Sequence, residues 1–167
     1  MVEHKHVIAH RIIPILSAII VVAIAFGAYL AFANVSMQTA ESKYVEKLNT
    51  LVEQMRTLNF QEQQAVQNWK SGATTSGAAF SQLSSLQSQR VQLKENLRLL
   101  VPPEPFHDIH QDLVDANQLW IDADSDYVQG VLQDNDDAIK TADGKVKQAN
   151  QKFNSALESL RTAGYEI

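Results

Sequence analysis

Between Ile12 and Ala33 the chain runs for 22 residues without a charged side chain. Ile, Leu, Val, Ala and Phe fill the run, interrupted by Pro14, Ser17, Gly27 and Tyr29. As an α-helix rising about 1.5 Å per residue it covers roughly 33 Å, enough to cross a hydrocarbon core of roughly 30 Å. The sequence therefore predicts a membrane-spanning helix over 12–33, and every other segment is placed relative to it. Lys5 and Arg11 precede the run, and Lys43 and Lys47 follow it. That tie is broken by the α-amino group and by His4, His6 and His10, which put the 1–11 tail in the cytoplasm. Ala31-Phe32-Ala33 also fits a signal-peptidase site, so cleavage before Asn34 is the alternative. The run exceeds the apolar core of about 7–15 residues typical of a cleaved signal, which favours an uncleaved signal anchor. Ala23, Gly27 and Ala31 recur every four residues and form a candidate packing face for another membrane helix.

After Ala33 the chain is acidic, with 12 Lys+Arg against 18 Asp+Glu. That balance argues against a nucleic-acid partner and against attraction to an anionic membrane surface. Cysteine is absent, which excludes disulfides, c-type haem attachment, cysteine-ligated iron–sulfur clusters and a lipoprotein anchor.

Apolar residues beyond Ala33 repeat every three and four positions, and breakers divide the pattern into four stretches. The first stripe is Tyr44, Leu48, Leu51, Met55, Leu58, Glu62, Ala65 and Trp69, ending at Ser71-Gly72. The second is Leu83, Leu86, Arg90, Leu93, Leu97 and Leu100, stopped by Pro102-Pro103. A third starts near Pro103 or Glu104 and takes Phe106, Ile109, Leu113, Ala116, Trp120, Ala123 and Tyr127, with its register drifting at Gly130. The fourth follows the N-cap-rich run 134–137 and takes Ile139, Ala142, Val146, Ala149, Phe153, Ala156, Leu160 and Ala163. Four heptad helices of similar length joined by short turns predict an all-α, up-down-up-down four-helix bundle over 44–167. A helical stalk over 34–43 would join it to the membrane helix, leaving the Pro corner and the C-terminus facing the membrane.

Within the stripes, Glu62 and Arg90 alone carry a full charge. They fall on adjacent antiparallel helices at heights differing by about one turn. Three readings apply: a ligand-binding carboxylate, a buried pair that selects register, or side chains that snorkel out at the stripe edge. His107 and His110, with Asp108 and Asp112, gather where the third helix begins. Two ligands fall short of a closed zinc site, so packing or capping of the corner is expected. Asp122, Asp124 and Asp126 open like a calcium loop, but Tyr127 and Gln133 occupy the positions of its glycine and final glutamate, so a solvated face is expected. Glu104-Pro105-Phe106-His107 is the domain's one Glu-x-x-His spacing, and no facing helix supplies the second pair that a di-iron centre needs. No catalytic constellation, metal or cofactor is expected, and the chain reads as a non-enzyme. A Gln-rich surface (Gln61, Gln63, Gln64, Gln67, Gln87, Gln89, Gln92) offers amides to a partner or to solvent.

The segment from Leu100 to Ala116, LVPPEPFHDIHQDLVDA, resembles uncharacterised exported, membrane-anchored bacterial helical-bundle proteins, in which a Pro-Pro corner precedes a histidine and an alanine-spaced helix. That resemblance, covering about 65 residues, implies the architecture and no activity. The stretch Arg11 to Ser17 is similar to the start of archaeal type IV pilins, although no Gly or Ala directly precedes Ile12. The leading expectation is a cell-membrane, single-pass accessory or scaffold subunit with an extracytoplasmic bundle. Its partners would be the lipid bilayer and membrane proteins, with a homo-oligomer compatible. A sensory ligand-binding bundle is the alternative, which would signal through a partner because the chain ends at Ile167. A pilin-like filament subunit is the third.

Overall fold

The computed structural model describes residues 39–165. The Ile12–Ala33 run, the tail before it, residues 34–38 and the Ala23, Gly27 and Ala31 face lie outside the described residues. Among the described residues no helix is long and apolar enough to cross a membrane.

Helix α1 covers residues 39–70. Helix α2 is Ser76–Leu99, α3 is His107–Gln133 and α4 is Asp136–Thr162, with a 3₁₀ turn at Glu104–Phe106 ahead of α3. No strand occurs among the described residues. The described residues form an all-α bundle.

Local chemistry sets each boundary. After α1, Gly72 takes φ 74°, a left-handed conformation in which a side chain would be strained. The Thr75 hydroxyl then caps α2 by accepting from Ala78 N at 3.3 Å. Leu100 is extended, outside the helix. Further on, prolines at 102, 103 and 105 supply no amide hydrogens, and Pro102 and Pro103 keep the residues before them from being helical. Helix α3 ends with Asp134 left-handed and Asn135 N bonded back to Gly130 O at 3.0 Å. Asn135 Oδ1 then accepts from Asp137 N and Ala138 N at 3.0 and 3.2 Å, so a two-residue turn both closes α3 and starts α4.

The helices alternate in direction. Tyr44, near the start of α1, stacks on Phe106 at 5.1 Å, and Phe106 stacks on Tyr165 at 5.2 Å, so three distant parts of the sequence meet at one end. At the other end Trp69 donates to Ser76 Oγ at 3.3 Å. Helix α3 packs against both α2 and α4, which do not approach each other and lie on the diagonal. The core forms two apolar clusters. One runs from Tyr44 to Leu58 on α1 with Leu113, Trp120, Phe153 and Leu160. A smaller one gathers Ala65, Leu83, Ala123, Val131 and Ile139 toward the far end.

One stripe position departs from expectation. Ala163 is exposed rather than packed, because α4 ends before it. Gly164, at φ 88°, reverses the chain, and Tyr165 N bonds to Leu160 O at 3.0 Å. This closure turns Tyr165, not Ala163, toward the core.

The drift at Gly130 has a packing cause. A Cβ there would collide with the Ile139 side chain, lying 2.8 Å from Cγ1 and 3.2 Å from Asn135 O. At Gly144 a Cβ would meet nothing within 4 Å. The same substitution should therefore act with opposite signs at the two sites. Gly130→Ala is expected to destabilise by roughly 1–3 kcal/mol through overpacking, and Gly144→Ala to stabilise by about 1 kcal/mol through helix propensity. Urea titrations of both variants would check this.

Candidate functional site

Helix α1 brings Glu62, α2 brings Arg90 and α3 brings Asp124 to a single point between the two apolar clusters. Glu62 is 1% exposed, and Arg90 and Asp124 are 0% exposed, so none of the three reaches solvent. Arg90 Nη2 donates to Glu62 Oε2. Arg90 Nε lies 3.0 Å from Asp124 Oδ2, with no hydrogen bond between them. The guanidinium carbon sits 5.0 Å from the centre of the Trp120 ring, where a cation is attracted to the π face. Asn117 Nδ2 donates to the Arg90 carbonyl at 2.9 Å, fastening α3 to α2 at the same level.

One cation thus faces two carboxyl groups, and the charge does not balance if both are ionised. Burial first, and the neighbouring Glu62 charge second, push the Asp124 acid from its ordinary 3.8 up to about 8. Glu62 is also raised by burial, against which Arg90 acts by attraction and hydrogen bonding. The neutral arrangement is Arg90 charged, Glu62 ionised and Asp124 protonated, with neither Asp124 oxygen finding a hydrogen-bond partner in the protein. Among the atoms around them, Arg90 Nη1, Asn117 Oδ1 and Trp120 Nε1 find no partner in the protein. The cluster is charge-balanced but not fully hydrogen-bonded.

Nearby, Tyr127 donates to Asp143 Oδ1 at 2.5 Å, and Lys70 Nζ pairs with Asp143 Oδ2 at 3.1 Å. Burial, then the bond to Asp143, raises the Tyr127 phenol, so it stays protonated. At the opposite end Tyr44 Oη lies 3.0 Å from His110 Nδ1. Burial, with His107 close by, lowers His110 and holds it neutral.

The structure brings Glu62 and Arg90 into contact and removes both from the surface, which excludes snorkelling. The expected solvated face at 122–126 is corrected for Asp124. Because α3 faces two neighbouring helices it buries a wider arc than one stripe, and Asp124 lies in that arc. Asp122 and Asp126 are half-buried, the latter pairing with Lys145 at 2.7 Å. His107 is exposed and 3.6 Å from Glu104, whereas His110 is buried against Tyr44, so the two do not converge. Among the described residues no group of three or more His, Cys, Asp or Glu side chains could hold a metal. Asp124, Asn117 and His110 were not legible in the stripes as read. A second register on α3, Leu113, Asn117, Trp120, Asp124, Tyr127 and Val131, carries the first two.

Comparison with known proteins returns no matching family model, no matching curated protein and no matching solved structure.

Two results are expected. Because the folded acid is raised, Asp124 contributes stability that is fully present below about pH 4 and is lost as pH rises through about 8. Melting temperature should fall across that window in the parent chain, and Asp124→Asn should flatten the slope. Arg90→Met alone should cost roughly 3–5 kcal/mol by stranding the carboxyl groups, while adding Glu62→Leu and Asp124→Leu should recover most of that loss. Chemical denaturation of the single and triple variants would measure both.

Proposed function

We propose that this chain is a non-enzymatic accessory or scaffold subunit of a membrane complex. Residues 12–33 would anchor it as a single transmembrane helix continuing through 34–43 into an up-down-up-down bundle outside the cytoplasm. The observation that carries this reading is the placement of the ionisable chemistry. Glu62, Arg90 and Asp124 are sealed between apolar clusters and neutralise one another, so the bundle's charge serves its own register. A substrate or sensory ligand would have to part the helices to reach them.

The orientation has its own support. The end holding Tyr44, Phe106 and Tyr165 also carries Leu99 and Val101, which are 66% and 83% exposed. An anchor entering α1 from residue 38 would bring these apolar side chains to the headgroup region. The small-residue face of Ala23, Gly27 and Ala31 would then meet a partner's membrane helix.

Fractionation tests the anchor. Alkaline extraction should leave the chain in the membrane pellet at its full mass, and protease added outside the cell should digest the bundle. Recovery of a soluble product beginning at Asn34 would replace the anchor with a cleaved signal.

A further inference from the structure

We propose that the buried cluster makes this bundle pH-responsive: loss of the Asp124 proton opens the seam between α1 and α4 at Lys70, Tyr127 and Asp143. The device is independent of the anchor and of the accessory role. The species it answers to is the proton, which reaches a site closed to any larger ligand.

Glu62 from α1 and Arg90 from α2 act on Asp124 directly. One turn along α3, Tyr127 feels both Glu62 and Asp124 and donates to Asp143 of α4 at 2.5 Å. Asp143 in turn acts on Glu62. Lys70 of α1 completes the set by donating to both Asp143 oxygens, at 3.3 and 3.1 Å. While Asp124 keeps its proton, Arg90 and Lys70 balance Glu62 and Asp143. Once it ionises, three carboxylates face two cations, and the repulsion bears on Glu62 of α1 and Asp143 of α4.

The other seams are held more firmly. Between α1 and α2 the Glu62–Arg90 pair is wholly buried, while outside it Gln61, Gln89 and Gln92 supply only amides. Between α2 and α3, Asn117 holds the Arg90 carbonyl, and an ionised Asp124 is drawn toward Arg90. The α3/α4 seam is bridged by Lys145–Asp126 and Lys152–Asp112 at 2.7 and 3.0 Å. Across α1/α4 the Lys70–Asp143 pair is 44% and 48% exposed, where screening leaves it little net energy. That seam also holds a hollow of about 330 Å³, lined by Tyr127, Asp143, Lys70 and Val66, and by Gln63, the neighbour of Glu62. Water entering there approaches an Asp124 carboxyl that has no hydrogen-bond partner in the closed bundle.

The direction of the response follows from the environment. Burial and the Glu62 charge hold the Asp124 acid at about 8 in the closed bundle. The closed form therefore binds the proton more tightly than a hydrated, open form. Opening is suppressed below about pH 8 and gains up to about tenfold per pH unit above it.

The chain has no cysteine, so a single one can be placed in each seam. Val66→Cys lies at the α1/α4 hollow and Leu58→Cys on the α1/α2 side of the same helix, and the native side chains are both 6% exposed. In the purified full chain, the ratio of their reaction rates with iodoacetamide should stay level below neutrality. It should rise about tenfold per pH unit above about pH 8, with helicity by circular dichroism unchanged. Comparing two thiols cancels the ionisation common to both. Adding Asp124→Asn should keep the ratio level throughout, and adding Lys70→Met should move its rise to lower pH. A level ratio in the chain that retains Asp124, a rise that persists in Asp124→Asn, or an onset unmoved by Lys70→Met would overturn the proposal. So would equal gains at both positions with falling helicity, which is global unfolding.

Discussion

A guanidinium with no access to water constrains the rest of this bundle. Arg90 is wholly buried, and a buried cation is tolerated only where opposite charge and hydrogen-bond acceptors are already in place. Glu62 on α1 supplies the charge, the Asp124 acid on α3 lies beside it, Trp120 supplies a π face, and Asn117 clasps the Arg90 backbone. These demands fix the rotation and height of three helices relative to one another. Sliding α2 by one heptad would set Leu83 or Leu97 against the acids and strand the cation among leucines. The apolar stripes alone are nearly periodic and would permit such a slide. A layer that need not add to stability would then select the pairing.

The remaining ion pairs act differently. Lys152 with Asp112 and Asp115 is about two-fifths exposed on both sides, where solvent screening leaves such contacts with little net energy. Their positions still matter, because they lace two seams with alternating charge while the α1/α2 rim is left to amides. Electrostatics in this molecule is thus divided by depth. In the core it joins three helices at one point, and on the surface it distinguishes one face from another.

Much of the architecture was legible in the sequence. Helical periodicity, the Gly72 and proline breaks and the Asn135 cap each have local causes, and the helices follow them. The opposition of Glu62 and Arg90 was also readable, because turn positions set the heights of antiparallel neighbours. Asp124 was not. On α3 the stripe through Ala116 and Ala123 and the stripe through Asn117 and Asp124 share Leu113, Trp120 and Tyr127, and apolarity selects the first. The available clue was the arginine itself: a cation on a core stripe calls for carboxyl groups from the helices beside it. His110 escaped for a related reason, since its partner Tyr44 lies 66 residues away and no local pattern links them.

The stacked rings of Tyr44, Phe106 and Tyr165 have a kinetic meaning. They join the first helix, the middle corner and the last turn, so loop-closure entropy must be met before any of that contact is gained. A chain emerging from a ribosome or a translocation pore can form α1 and α2 early, with Arg90 facing Glu62 before Asp124 arrives. It cannot seal the Tyr44 end until residue 165 has been made. During that interval the end is an open mouth of aromatic surface.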